Sequence, residues 1–251
     1  MSTTTPTEPF SRHVLVLESP KGLETMDLTR RLREMGAPVT IAASFDEAEE
    51  LLREGSEDVG AMLIPTYYEP KLLKKTLKPL LNFAPPGCVK LISVGEPPSD
   101  SNRKKLRKAG IKLALWNPIT EANMRFQINR ALHQGREGFG SRDNPRIPGE
   151  FGCMVTVGDR QKNAAIYSLA ETGAFLVTQR ASMKGTRIDL RLRIPGGPIT
   201  TAAEVVYANV PGNLQRPGLP MGMGVQFQEL DPSDQKRLRK LIADCIAQLE
   251  V

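Results

Sequence analysis

The sequence predicts an α/β doubly wound domain followed by an antiparallel β-barrel that ends in a helix. Three observations lead there. Five short apolar runs alternate with segments of helical period between His13 and His133. A Gly-rich stretch, Gln134 to Ser141 (QGREGFGS), then breaks that periodicity. Beyond Arg146, short β-type segments recur between turn signals until one long helical segment closes the chain. Parallel strands joined by helices are covered on both faces, so they read as continuous apolar runs. Short strands at regular spacing, broken by Gly and Pro, read as an antiparallel barrel.

The elements follow in order. His13 to Leu17 is a buried strand, and Leu23 to Met35 a helix stopped by Gly36. Val39 to Ala42 is the second strand; Ser44 caps a helix over Phe45 to Glu54, with Glu47 as capping-box partner. Ala61 to Ile64 is the third strand, Glu69 to Leu81 a helix, and Val89 to Val94 the fourth strand. Ser101 to Ala109 is a basic helix closed by Gly110, Lys112 to Trp116 the fifth strand, and Thr120 caps a last helix to His133. Right-handed crossovers favour a flavodoxin-like strand order. In the second half, β segments fall at Cys153–Val157, Ala164–Tyr167, Gly173–Val177, Thr186–Ile194, Thr201–Tyr207 and Met223–Phe227. A helix over Ser233 to Leu249 follows, capped by Asp231 or Ser233. The domain bounds read as 12–134, a linker at 135–141, and 142–251.

Composition narrows the function classes. Hydrophobic content of 40% and charged content of 25% suit a chain with a core in each half. Residues 1–138 hold 20 Lys+Arg and 17 Asp+Glu, residues 139–251 hold 14 and 11, so the net +6 divides evenly and no basic arm for nucleic acid stands out. Aromatic content of 5% argues against a base-stacking platform. Cys88, Cys153 and Cys245 are scattered, without metal or disulfide spacing. Met1 to Pro9 is polar, and no run reaches a membrane span, so the expected location is the cytoplasm. His13 and His133 sit in no catalytic or metal cluster, and Pro195-Gly196-Gly197 is a turn without the Gly-Lys-Ser/Thr of a phosphate loop. The expectation is no enzyme, no metal and no resident cofactor.

Over residues 12–133 the chain resembles the response-regulator receiver family in architecture. The resemblance implies a site with paired acids after the first strand for Mg²⁺, an Asp phosphoacceptor ending the third, a Ser or Thr after the fourth and a Lys after the fifth. Here the first strand ends in Glu18-Ser19, a single acid, and no carboxylate occurs from Val59 through Tyr68. Ser93 takes the place of the switch hydroxyl, and Asn117-Pro118 stands for Lys-Pro. The expectation is a degenerate receiver that forms no acyl-phosphate, with small-ligand binding at the strand ends as a minor reading. The basic run Asn102 to Lys108 reads either as a solvated helix face or as a dock for an acidic partner.

The second half resembles the PilZ family. Arg142 and Arg146 form its RxxxR opening; Ser168 to Gly173 falls where the family has [DN]xSxxG; Gly222 to Leu230 matches its closing strand. The resemblance implies cyclic di-GMP as ligand. Two arginine forks would meet guanine edges and phosphates, and Gly173 would permit close backbone approach. The candidate ligand-binding residues are Arg142, Arg146, Ser168 and Gly173. Two positions depart from the motif: Ser168 replaces Asp/Asn, and Ala170 replaces Ser. Loss of a buried or charged contact costs roughly 1–3 kcal/mol, so two losses weaken binding by more than about tenfold and by up to several thousandfold or beyond. The expected function is a bacterial signalling or motility regulator working through protein partners, with cyclic di-GMP binding weakened or absent; the alternative is a cyclic di-GMP receptor that reorients its domains. Membrane insertion is not expected and nucleic acid is the weakest partner class.

Overall fold

The computed structural model describes residues 12–19, 23–55, 58–133, 144–215 and 219–251. The chain divides into two compact units, Met1–Phe139 with Gln248–Val251, and Gly140–Ala247. Gln248–Val251, which the sequence reading placed in the second domain, thus groups with the first.

The first unit is a five-stranded parallel sheet in the order β2-β1-β3-β4-β5: β1 His13–Leu17, β2 Val39–Ala42, β3 Val59–Pro65, β4 Lys90–Gly95 and β5 Leu113–Trp116. This is the flavodoxin-like order that the alternating pattern predicts. Its central strand β3 is buried over Val59–Ile64, as its unbroken apolar run requires. Helices α2 Phe45–Gly55, α3 Pro70–Leu81 and α4 Asp100–Lys108 cover one face through Leu52, Leu73, Leu77, Leu80 and Leu106. Helices α1 Leu23–Glu34 and α5 Glu121–His133 cover the other through Leu28, Leu32, Met124 and Ile128.

Caps follow the sequence signals. Glu47 N–H donates to Ser44 Oγ at 3.2 Å, and Glu47 Oε2 accepts from Ala43 N–H at 2.7 Å. Thr120 Oγ1 accepts from Asn123 N–H at 3.2 Å. The end of the chain belongs to this unit: Val251 N–H donates to the Lys112 carbonyl, Glu250 bridges Leu113 at the sheet edge, and Arg130 pairs with Glu250 at 3.1 Å.

In the second unit, β7 Gly152–Val157, β8 Arg160–Ala170, β9 Gly173–Val177, β13 Gly222–Phe227, β11 Ile199–Val210 and β10 Arg187–Leu192 are hydrogen-bonded in that order. Because β10 pairs with both β11 and β7, the strands close into an antiparallel barrel. Strands β10 and β11 alternate buried and exposed residues, the pattern of a sheet with one dry face. Leu190, Leu192, Val155, Ile166, Leu176 and Val225 fill the interior with Leu238 and Ile242 of α6 Pro232–Leu249. Asp231 is the cap: its Oδ1 accepts from Ser233 N–H at 2.8 Å, and hydrogen bonding from the Ser233 hydroxyl first and its backbone second holds the carboxyl below the usual range. Two short pairings escape the sequence pattern, β6 Ile147–Pro148 on β8 and β12 Asn213–Leu214 on β11; two residues carry too little periodicity to read.

Candidate functional site

The carboxyl ends of the first unit's strands are where a doubly wound sheet places its ligands. The order reverses between β1 and β3, and a crevice of about 340 Å³ opens there, lined by Leu17, Ser19, Thr25, Asp27, Arg31 and Asn117 among others. Its charged groups are already engaged. Arg31 donates to the Ile119 carbonyl at 2.7 Å and lies 3.8 Å from Asp27, which also pairs with Arg30 at 2.6 Å. Thr25 Oγ1 accepts from Ser19 N–H at 3.0 Å.

The donor set does not fit a magnesium-dependent phosphoacceptor. β3 ends in Pro65, and the next residue is Thr66, whose N–H donates to the Val94 carbonyl. Gly95, at φ +126°, leaves room for the Thr66 hydroxyl where a Cβ would otherwise sit. Asn117 donates from Nδ2 to Glu96 Oε1 at 3.0 Å, so the residue in the lysine position holds a carboxylate rather than neutralising a phosphoryl group. Among the described residues no three His, Cys, Asp or Glu side chains gather as a metal site. Ser93 is not at a strand end. It pairs in register with Ile64 and Ala114 inside the sheet, and its buried Oγ has no hydrogen-bond partner among the described residues.

In the second unit the candidate residues lie on β6, β8 and β9. Arg142 falls outside the described residues. Arg146 precedes β6 and donates from Nη1 to Ser168 Oγ at 3.1 Å. Ser168 sits in β8 opposite Phe175, beside a register shift between Ile166 and Ser168. It is 6% exposed, so its hydroxyl is a buried acceptor held by a guanidinium. Ala170 is buried as well and presents only a methyl group. Gly173 pairs with Ala170 across the two-residue hairpin Glu171-Thr172 and with Gln226 of β13. A Cβ there would overlap the Val225 carbonyl oxygen, so the glycine is explained by strand packing alone.

The sequence reading missed an aromatic row. Phe175 is fully buried but does not join the barrel interior, where its neighbours Ala174 and Leu176 lie, so it faces the opposite side of β9. Tyr167 meets it edge-on and Tyr207 stacks on it, each at a centroid distance of 5.9 Å. Tyr207 in turn fills the space that a side chain at Gly224 would need. The spacing of Tyr167, Phe175 and Tyr207 over three strands hid the cluster, because strand pairing alone brings them together.

These features meet in one comparison with known proteins. The PilZ domain family matches residues 141–244. The second unit is a PilZ domain.

Solved structures that resemble parts of the chain do so at low identity. The inhibitor of motility of Bacillus subtilis is 17% identical, with a TM-score of 0.36, over 41% of this chain and 50% of that one. This chain therefore spans about half the length of that protein. The PilZ domain of YcgR from Escherichia coli, solved with c-di-GMP, is 16% identical, with a TM-score of 0.33, over 43% of this chain and 92% of that one. For the first unit, a response regulator receiver domain protein from Methanospirillum hungatei is 21% identical, with a TM-score of 0.39, over 48% of this chain and 93% of that one. No curated protein matches the chain. The first unit is a receiver-like α/β unit by its own strand order and connections. No helix among the described residues is long and apolar enough to cross a membrane.

Proposed function

We propose that this protein is a non-enzymatic signalling regulator, of motility or a related surface behaviour, that works through protein–protein contacts. In this reading its PilZ domain binds cyclic di-GMP weakly or not at all. The observation that carries it is the pairing of Arg146 with the buried Ser168 hydroxyl beside the apolar Ala170. In the motif this stretch resembles, those positions offer an acidic or amide group and a hydroxyl to the ligand. Here one offers a hydroxyl already spent on Arg146 and the other offers nothing. Among the described residues of the motif, Arg146 retains the fork suited to a guanine edge or a phosphate. The lack of a phosphoacceptor carboxylate on Thr66 and its neighbours points the same way: neither unit keeps a complete chemical site, while both keep a full core.

Calorimetry on the full chain tests the reading. The expected result is no saturable heat with cyclic di-GMP at concentrations where intact PilZ receptors saturate. Tight one-site binding that disappears in Arg142→Ala or Arg146→Ala would establish the second reading, a true receptor using the RxxxR arginines. That reading is favoured by the survival of both arginines in the sequence.

A further inference from the structure

The evenly divided net charge conceals a local imbalance. Helices α3 and α4 pack as neighbours on one face of the first unit's sheet. Together they carry nine cations, Lys71, Lys74, Lys75, Lys78, Arg103, Lys104, Lys105, Arg107 and Lys108, against the single acid Asp100. That is net +8, more than the +6 of the whole chain. The other surface helices do not share this composition. α2 is acidic, with Asp46, Glu47, Glu49, Glu50 and Glu54 against Arg53. α1 and α5 pair their charges internally, Arg30 with Asp27 and Glu34, and Arg125 with Glu121.

The geometry aims this charge outward. Leu73, Leu77 and Leu80 turn one side of α3 into the core, which leaves Lys71, Lys74, Lys75 and Lys78 exposed. Leu106 does the same for α4 and leaves Lys104 and Lys108 exposed. None of these six lysines forms an ion pair with a described residue. Like charges so placed repel one another and weaken the helix pair unless an anion covers them. Among the lysines, Leu72 is also exposed, at 59%.

We propose that the α3–α4 face is a docking surface for an anionic phospholipid membrane. Three features favour a lipid surface over nucleic acid. The charge on α3 is entirely lysine, a compact point charge suited to dispersed phosphates, and not the arginine fork that reads base edges. Neither helix contains an aromatic residue for base stacking. The exposed Leu72, useless against a phosphate backbone, is a shallow apolar anchor at a headgroup boundary. The apolar side of α3 stays in the protein core, so attachment is peripheral, electrostatic and reversible.

Sedimentation of the full chain with vesicles tests this. Partition is expected into phosphatidylcholine vesicles containing phosphatidylglycerol, not into phosphatidylcholine alone, and it should collapse in high salt. Neutralising Lys71, Lys75 and Lys78 together (K71Q/K75Q/K78Q) should lower the partition coefficient about a hundredfold, with the thermal unfolding midpoint equal to or above that of the natural chain. Leu72→Ser should lower it a few-fold more. As a control for net charge, Arg180→Gln with Lys184→Gln on the PilZ domain should leave partition as it is. The proposal is overturned by equal binding to both vesicle types, by wild-type partition of the triple variant, or by an equal loss in the control. Tighter binding to duplex DNA than to the anionic vesicles, lost in the triple variant, would also overturn it and give the face to nucleic acid.

Discussion

The two units depart from the motifs they resemble in different ways. In the receiver-like unit the reactive positions are replaced outright: Thr66 follows β3 where a carboxylate is needed, and Asn117 holds Glu96 instead of serving as a free cation. In the PilZ domain the cation remains and its partners shrink: Arg146 is kept, bonded to a serine hydroxyl. Replacement and shrinkage have different consequences. Phosphoryl chemistry needs the metal acids, the nucleophile and the lysine at once, so one missing group silences the site. Ligand recognition is a sum of contacts, so a missing partner lowers affinity by a factor and leaves the site repairable.

Five experiments break or sharpen that contrast, from the largest effect downward. Thr66→Asp should restore no phosphorylation at all. Incubation with acetyl phosphate and Mg²⁺ is expected to label neither the natural chain nor the variant, because a single new carboxylate supplies neither the paired acids nor the lysine. Stoichiometric label in the variant would break the distinction. Next, Gly173→Ala should cost about 3 kcal/mol in a denaturant melt, since the added methyl must displace the β13 backbone at Val225. A neutral outcome would return the glycine to a purely ligand-facing role.

Arg146→Ala should then cost about 1–3 kcal/mol by removing the guanidinium from the buried Ser168 hydroxyl. Adding Ser168→Ala should recover part of that loss, and a double-mutant cycle measures the coupling. Strict additivity would mean that the two side chains do not hold one another. In the same domain, Ser168→Asp is expected to raise cyclic di-GMP affinity about tenfold by supplying a charged partner. The smallest effect concerns the thiols. Burial pushes the Cys153 thiol up to about 11, so at neutral pH it stays protonated and should be the slowest of the three cysteines to alkylate. Mass spectrometry of an iodoacetamide time course reads this directly; early labelling of Cys153 would show that the barrel opens.

Legibility differed between fold and site for a physical reason. The strands of the parallel sheet are buried on both faces, so His13–Leu17 and Ala61–Ile64 announced themselves as apolar runs, and Ser44, Thr120 and Asp231 marked helix starts by local hydrogen bonding. The long strands were read short. β8 runs Arg160–Ala170 and β11 Ile199–Val210, past the segments expected at Ala164–Tyr167 and Thr201–Tyr207, because polar residues such as Arg160, Gln161 and Asn209 break the apolar pattern and are recruited by pairing with neighbours. The Arg146–Ser168 bond joins residues 22 apart and was legible only through the motif that names both.

By itself the sequence determined the class of each unit, the order of elements, and the loss of the phosphoacceptor, because these depend on periodicity and on which side chains exist at all. Tertiary structure alone decided three things. It set Arg146 on the Ser168 hydroxyl, it gathered Tyr167, Phe175 and Tyr207 into one row, and it laid the lysines of α3 beside those of α4. Each joins groups distant along the chain, and only strand pairing and helix packing turn such distance into contact.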